Sequence, residues 1–243
     1  MTLEDIYLHA VINRRRPTGW PHQPLAQIQN HLRAWSLHRY LESVTISGSY
    51  PKGTALRGSD LDIFLSLSPE TPCPLSELRA SLADHFHANV PTPRNVALGI
   101  QFEGHSLDIV PARRRPNSTH HTLWQNRYDT WLQTDIAEQI RHIGASGLTT
   151  EILALKLWRN RQHLRFPSFL LELTTLRALT PNCSISDQFR DLLTYLATTF
   201  STARLTDPAN SNNIVSATLL THEKQAITAA AAQSLQRGEW ALT

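Results

Sequence analysis

The segment SGSYPKGTALRGSDLDIFLSL, Ser47 to Leu67, constrains this chain more than any other. In its second half Leu61, Ile63, Leu65 and Leu67 alternate with Asp60, Asp62, Phe64 and Ser66. Strand side chains have a period of two, so the aliphatic residues face one side and both aspartates the other. Carboxylates so close on one strand repel each other unless something positive lies between them. A divalent cation is the usual solution, and magnesium takes a few carboxylate oxygens together with substrate phosphate. For a lone Asp-x-Asp, the bland alternative is a cap or a solvated strand edge.

A second strand supplies a third carboxylate. In HSLDIVPA, Leu107 and Ile109 point one way and Asp108 the other. If this strand lies beside the first, Asp108 joins Asp60 and Asp62. Three carboxylates can hold two metal ions about 4 Å apart, an arrangement that clamps the attacking and leaving oxygens of a phosphoryl displacement. The expected ions are two Mg2+ (or Mn2+).

A triphosphate would need a seat, and the start of the segment offers one. Gly48 lets a backbone approach closely, and Ser49 can cap a short helix while presenting its hydroxyl to phosphate. Pro51 suits the first turn of that helix and Gly58 its end. Backbone N–H groups at a helix start attract anions. A Gly-Ser pair alone is mostly a turn; eleven residues ahead of Asp60 it gains meaning.

The rest of the composition limits the class. The 243 residues are 41% hydrophobic and 18% charged, enough for one large domain or two lobes with a proper core. No apolar run is long enough to span a bilayer, and the N-terminus has the wrong charge order for a secretory signal. Cys73 and Cys183 match no metal or redox spacing and read as free thiols, which fits a cytoplasmic location. A net charge of +3 suits nucleotide ligands without demanding nucleic acid. Arg14 to Arg16 and Arg113 to Arg115 are the main basic clusters, equally readable as solvated loop charge. The pair His120-His121, in a Ser/Thr/Asn-rich stretch, is expected to be exposed rather than metal-bound.

The organisation is α+β: a small mixed sheet with helices, then a helical lobe, with the boundary placed between residues 124 and 125. Leu25 to Leu41 reads as an amphipathic helix leading into a strand at Val44 to Ile46. Asp60 to Leu67 is a strand, and Leu75 to Ala88 a helix. Val96 to Phe102 and Ser106 to Pro111 are strands joined at Glu103-Gly104. Later periodicity puts Leu153, Leu157 and Trp158 on one helical face, and Phe169, Leu173 and Leu176 on another. Further helices cover about Ser186 to Phe200 and Thr221 to Arg237, and Asp207 to Asn213 reads as a polar turn.

Taken together, Gly48-Ser49, the run Lys52 to Gly58 and Ser59-Asp60-Leu61-Asp62 resemble the signature of the polymerase-beta-like nucleotidyltransferase superfamily. The resemblance is strongest to oligoadenylate synthetases and the bacterial cGAS/DncV-like nucleotidyltransferases (CD-NTases). Leu107 to Ala112 is similar to the third-carboxylate strand. Lys156-Leu157-Trp158, Pro167 to Leu173 and Asp207 to Asn213 continue the likeness, which spans about Val44 to Ala232. It implies a polymerase-beta-like core and a helical lobe closing a nucleotide cleft. Asp60, Asp62 and Asp108 would be catalytic metal ligands, and Lys156 and Ser168 would grip the triphosphate across that cleft from Gly48 and Ser49. By themselves Lys156 and Ser168 read as a surface lysine and a helix cap. The substrates would be NTPs or dNTPs, and the product a linear or cyclic oligonucleotide messenger of antiviral defence, read by a downstream effector protein. The alternatives are transfer to a tRNA 3′ end, a protein or a small molecule, or an inactive nucleotide-binding module. The chain is short for an oligoadenylate synthetase and shows no long basic spine for double-stranded RNA.

Overall fold

The computed structural model describes residues 1–180 and 183–237. In chain order its elements begin with α1 (Leu3–Arg15), α2 (His22–His31), β1 (Leu41–Ile46), β2 (Leu61–Leu67) and α3 (Leu75–His85). Then come β3 (Thr92–Pro93), β4 (Leu98–Phe102), β5 (His105–Arg114), β6 (His121–Gln125) and β7 (Thr130–Thr134). Helices α4 (Ile136–Gly144), α5 (Thr149–Arg161), α6 (Ser168–Ala178) and α7 (Ile185–Thr198) follow. The short strands β8 (Thr206–Asp207) and β9 (Asn210–Ile214) precede α8 (Thr221–Arg237).

Two compact units result, and the chain enters each more than once. The sheet unit comprises Gly19–Pro51 and Gly58–Ile140; the helical unit comprises Met1–Thr18, Lys52–Arg57 and Arg141–Thr243. This differs from a single division at 124/125. The hairpin β6–β7 continues the sheet past that point, and α1 supplies core residues to the helical unit.

In the sheet unit the strand order is β1-β2-β5-β4-β3, with β6 and β7 extending from β5. Strands β2 and β5 are parallel, and the other neighbours are antiparallel. Leu61, Ile63, Leu65 and Leu67 pack with Leu107, Ile109 and residues of α2 and α3 such as Ile28, Leu78 and Leu82. The opposite face is covered too. Phe64, Ala112 and Leu123 form a smaller cluster with Val110 and Leu132, so the alternation expected for β2 gives two buried faces beyond Asp62. The Glu103-Gly104 turn is a two-residue hairpin with both residues at positive φ (48° and 78°), the type I′ geometry that matches strand twist.

Some expectations need correction. The helix expected from Leu25 to Leu41 ends at His31 and gives way to single 3-10 turns at Leu32–Ala34 and His38–Tyr40. No helix follows Ser49; residues 48–53 are turns, because Gly48 and Gly53 sit at φ 66° and 72°, outside helical backbone. His121 is buried rather than exposed. It starts β6 and its Nε2 lies 2.8 Å from Ser66 Oγ. The second arginine triplet is held within the fold: Arg113 donates to the Cys73 carbonyl, Arg114 makes a two-pronged pair with Glu42, and Arg115 donates to Gln133. Asp207 to Asn213 is the β8–β9 hairpin rather than a simple turn. Neither Cys73 nor Cys183 is part of a disulfide. Among the described residues no helix is long and apolar enough to cross a membrane.

The helical unit is built around α5. Its residues Ile152 to Leu155 are fully buried against Leu8 and Ile12 of α1, Leu170 and Leu171 of α6, and Phe189 and Leu192 of α7. The Trp158 indole donates to Ser234 of α8 at 3.0 Å, satisfying the polar edge of a buried ring.

Candidate active site

Strands β2 and β5 bring two of the three expected carboxylates together. Their parallel register sets Asp62 directly beside Asp108, just as Ile63 stands beside Ile109 one step further. Both aspartates are half-buried. Asp60 lies just before β2 and is exposed, yet near enough for its charge to act on Asp108. Burial pushes the Asp108 carboxyl above its ordinary pKa, Arg94 opposes the shift, and Asp60 adds to it.

Gly48 completes this corner. It follows β1, where Ser47 N–H donates to the Asp62 carbonyl at 2.8 Å and prolongs the β1–β2 ladder. A β-carbon at Gly48 would lie 1.9 Å from Asp62 Oδ2. The sequence suggested that Gly48 made room for phosphate; here its missing side chain makes room for an aspartate. Ser49 is the next residue of the same turn and is half-buried.

Two further residues escaped the sequence reading. Arg94 Nε donates to Asp108 Oδ1 at 3.2 Å, and its side chain is half exposed. Gly99, the β4 partner of Asp108, leaves space for that pair: a β-carbon there would lie 3.0 Å from Arg94 Nε and 3.2 Å from Asp108 Oδ1. The available signal was a glycine interrupting an otherwise apolar strand, which marks close approach of another group.

The fit to metal ions is one of chemistry rather than of a finished cage. Among the described residues no three of His, Cys, Asp and Glu stand close enough to hold an ion as they are. The donor set nonetheless suits one: a half-buried carboxyl shifted toward its neutral form, a second carboxylate in register beside it, and a third whose charge reaches it. A hard divalent cation with oxygen ligands would relieve that repulsion.

Lys156 and Ser168 belong to the helical unit, with Lys52 and Thr54. Lys156 is 3% exposed, and its Nζ donates to the Thr54 carbonyl (3.0 Å), Thr54 Oγ1 (3.1 Å) and Glu172 Oε1 (2.8 Å). Lys52 Nζ donates to Glu172 Oε2 at 3.0 Å and lies 4.5 Å from the centre of the Phe169 ring. Thr54 Oγ1 donates to Glu172 Oε1 at 2.6 Å. Burial would raise the Glu172 pKa, but the two lysines outweigh it and hold the carboxyl below its ordinary range; burial lowers that of Lys156 against the pull of Glu172. Ser168 is the exposed first residue of α6, and its hydroxyl accepts from Arg159 Nη1 at 3.1 Å. The cap position ahead of α6 is held by Pro167.

Residues 28–105 match the family model of the nucleotidyltransferase domain. The matched stretch, about a third of the chain, holds Gly48, Ser49, Asp60 and Asp62, and the chain as a whole folds as an α+β sheet unit and a helical unit. Solved structures resemble it along almost its whole length. E. coli MS115-1 CdnC, in complex with HORMA-deltaN, is 20% identical with a TM-score of 0.74, over 97% of this chain and 91% of that one. Bradyrhizobium diazoefficiens CD-NTase CdnG, in complex with GTP, is 12% identical with a TM-score of 0.73, over 98% and 91%. The Cid1 poly(U) polymerase bound to MgATP is 13% identical with a TM-score of 0.69, over 96% and 93%. At such identities the likeness is one of fold. No curated protein sequence matches the chain.

Proposed function

We propose that the protein transfers a nucleoside monophosphate from an NTP or dNTP to a hydroxyl group without a template, releasing pyrophosphate and building a linear or cyclic oligonucleotide messenger. The observation that carries this reading is the register of Asp62 beside Asp108 on adjacent parallel strands, with Asp60 two residues upstream. Asp60, Asp62 and Asp108 would hold two Mg2+ (or Mn2+) ions, which supply the charge that activates the acceptor hydroxyl and stabilises the leaving pyrophosphate. Gly48 lets the turn after β1 lie against the Asp62 side chain, and Ser49 is the next residue of that turn. Ser49 and Ser168 are assigned to the triphosphate. Lys156 serves it through Thr54, which lies in the same signature segment as Ser49.

The messenger role rests on the resemblance in the signature residues and on likeness of fold to CD-NTases, one of them the Elizabethkingia meningoseptica CdnE cyclic dinucleotide synthase. In that role the protein would act in antiviral defence, upstream of an effector protein that reads the product. The likeness to Cid1 supports a second reading, addition of nucleotides to an RNA 3′ end, with tRNA, a protein or a small molecule as related acceptors.

The test is incubation with labelled NTPs and dNTPs plus Mg2+ or Mn2+, beside an Asp60→Ala/Asp62→Ala variant, with products weighed by mass spectrometry. Free oligonucleotides from the wild type alone are the expected result. Label appearing only in added RNA or protein would favour the second reading. ATP binding without pyrophosphate release would leave a binding module and sink both.

A further inference from the structure

The hairpin β6–β7 carries aromatic surface that the fold does not use. Along it Leu123 and Leu132 face inward, toward the small cluster around Phe64 and Ala112. Strand alternation turns their neighbours Trp124 and Trp131 to the other face, where the two stand directly across from each other. Trp131 is 58% exposed, and Tyr128, at the tip of the hairpin, is 51% exposed. A tryptophan held open to water on a regular strand gives the sheet little in return, because burial is what makes such a side chain stabilising.

Arginines gather at the same end of the hairpin. Arg127 lies 5.8 Å from the centre of the Tyr128 ring, within cation–π range. Its backbone N–H donates to Asn95 Oδ1 at 3.0 Å, and the Asn126 N–H donates to the Asn95 carbonyl at 2.8 Å. The Arg94 carbonyl accepts from Asn126 Nδ2 at 2.6 Å and from Arg79 Nη1 at 3.2 Å. These bonds fasten Arg79, Arg94 and Arg127 around one corner, from which the Arg94 side chain reaches Asp108. From Thr122 to Thr134 the sequence holds one acid, Asp129. Exposed rings beside guanidinium groups fit a polymer that joins flat bases by phosphates: the rings take base faces, and the cations take phosphates or stack in turn. An acidic peptide would answer the charge and leave the rings without flat partners.

We propose that the β6–β7 hairpin, with Arg79 and Arg94 beside its tip, is a binding surface for single-stranded nucleic acid. Its continuity with Asp108 through Arg94 makes the bound strand an acceptor for nucleotidyl transfer. That use rests on the nucleotidyltransferase reading; the binding itself does not.

The experiment measures binding of fluorescent oligonucleotides of about ten nucleotides by anisotropy, with neither NTP nor metal present. The probes are single-stranded RNA, single-stranded DNA and an RNA duplex, with an oligoglutamate peptide as the rival ligand. The proteins are the wild type, Tyr128→Ala/Trp131→Ala, Tyr128→Phe/Trp131→Phe, Arg127→Ala, and Trp20→Ala, which removes an exposed tryptophan outside the hairpin. The wild type is expected to bind a single strand more tightly than the duplex, whose base faces are already stacked. The double alanine variant should lose about tenfold or more, and the double phenylalanine variant should recover most of that loss. Trp20→Ala should bind like the wild type. Arg127→Ala should reduce the slope of log affinity against log salt by about 0.7, the value of one phosphate contact on a single strand. A double alanine variant that is folded by circular dichroism and binds like the wild type overturns the proposal. So does an unchanged salt slope in Arg127→Ala, an equal loss in Trp20→Ala, or a wild type that takes only the peptide or prefers the duplex. A wild type that binds the strand through the hairpin yet releases no pyrophosphate from any NTP supports the surface and defeats the nucleotidyltransferase reading. Pyrophosphate release without binding of any single strand does the reverse.

Discussion

A β-carbon at Gly48 would stand 1.9 Å from a carboxylate oxygen of Asp62, and Gly48 also adopts φ 66°. Either fact alone disfavours a side chain there; together they tie the turn after β1 to the position of Asp62, a proposed metal ligand. Gly48→Ala must therefore push Asp62 aside or move the turn. The backbone cost is about 1–2 kcal/mol for placing alanine in the left-handed region. Displacing a reacting group by about 1 Å can cost on the order of a hundredfold in rate. The variant is expected to stay folded in a urea titration while pyrophosphate release falls by about that factor. A normal rate would show that Asp62 has room the structure does not provide. Arg94 invites a second substitution. Arg94→Ala removes the group that opposes the raised Asp108 pKa, leaving burial and Asp60 unanswered. NMR titration of the metal-free protein should find the Asp108 carboxyl titrating at higher pH than in the wild type, and an unchanged or lower midpoint would contradict the pairing. Neither Gly48's true neighbour nor Arg94's partner could be read from sequence, because both depend on which strands become adjacent.

At the level of elements, α1 is set by its first residues. Thr2 Oγ1 accepts from Asp5 N–H at 3.1 Å, and the Asp5 carboxylate accepts from Thr2 N–H at 2.7 Å, a reciprocal cap. The other Asp5 oxygen accepts from Ser186 N–H at 3.1 Å, which fastens α1 to the start of α7. The Thr2 backbone N–H, then Ser186, hold the Asp5 carboxyl well below the usual range, against burial. A depressed folded pKa means that the folded state binds fewer protons, so this stability is present above the unfolded carboxylate pKa of about 4 and is lost as the pH falls toward the folded value. Asp5→Ala should therefore lower the urea midpoint at pH 7, with a gap to wild type that narrows progressively below about pH 4. A gap of the same size at every pH would mean that the carboxylate charge contributes nothing. The same scale shows what the sequence could convey. Strands β2 and β5 and the Glu103-Gly104 turn were legible because alternation and turn chemistry are local. The helix expected after Ser49 was not formed, since glycines that look like caps at a distance act as left-handed turn residues in succession. The β6–β7 hairpin went unread because Thr122, Trp124 and Gln125 alternate poorly and its burial comes from the distant Phe64 and Ala112. Lys156 looked like a surface lysine or a phosphate ligand; that it is saturated depends on Thr54 and Glu172, 102 and 16 residues away.

For the molecule as a whole, chain order and compact units do not coincide. The helical unit takes its first helix from residues before the sheet and a six-residue insert, Lys52–Arg57, from the middle of the signature segment. The insert is bound by the buried Lys52–Glu172–Lys156 cluster and by Arg57 N–H donating to the Arg15 carbonyl. The signature thus belongs to both units through covalent continuity: Gly48, Ser49 and the aspartates lie in one, Lys52 and Thr54 in the other. The N-terminal helix matters for the same reason. Leu8 and Ile12 are fully buried and Val11 nearly so, all in the core with α5 and α7. Burying an aliphatic side chain is worth about 1.5–3 kcal/mol, so three of them amount to roughly 5–9 kcal/mol, a large part of the roughly 5–15 kcal/mol by which a domain is stable. Removing residues 1–18 should therefore cost the helical unit its cooperative fold. Hydrogen exchange would report it as lost protection in α5 and α7, because those helices would face water where α1 had lain. Protection of α5 at the level of the intact chain would mean that the helical unit holds its core without α1, and that the first eighteen residues serve something other than stability.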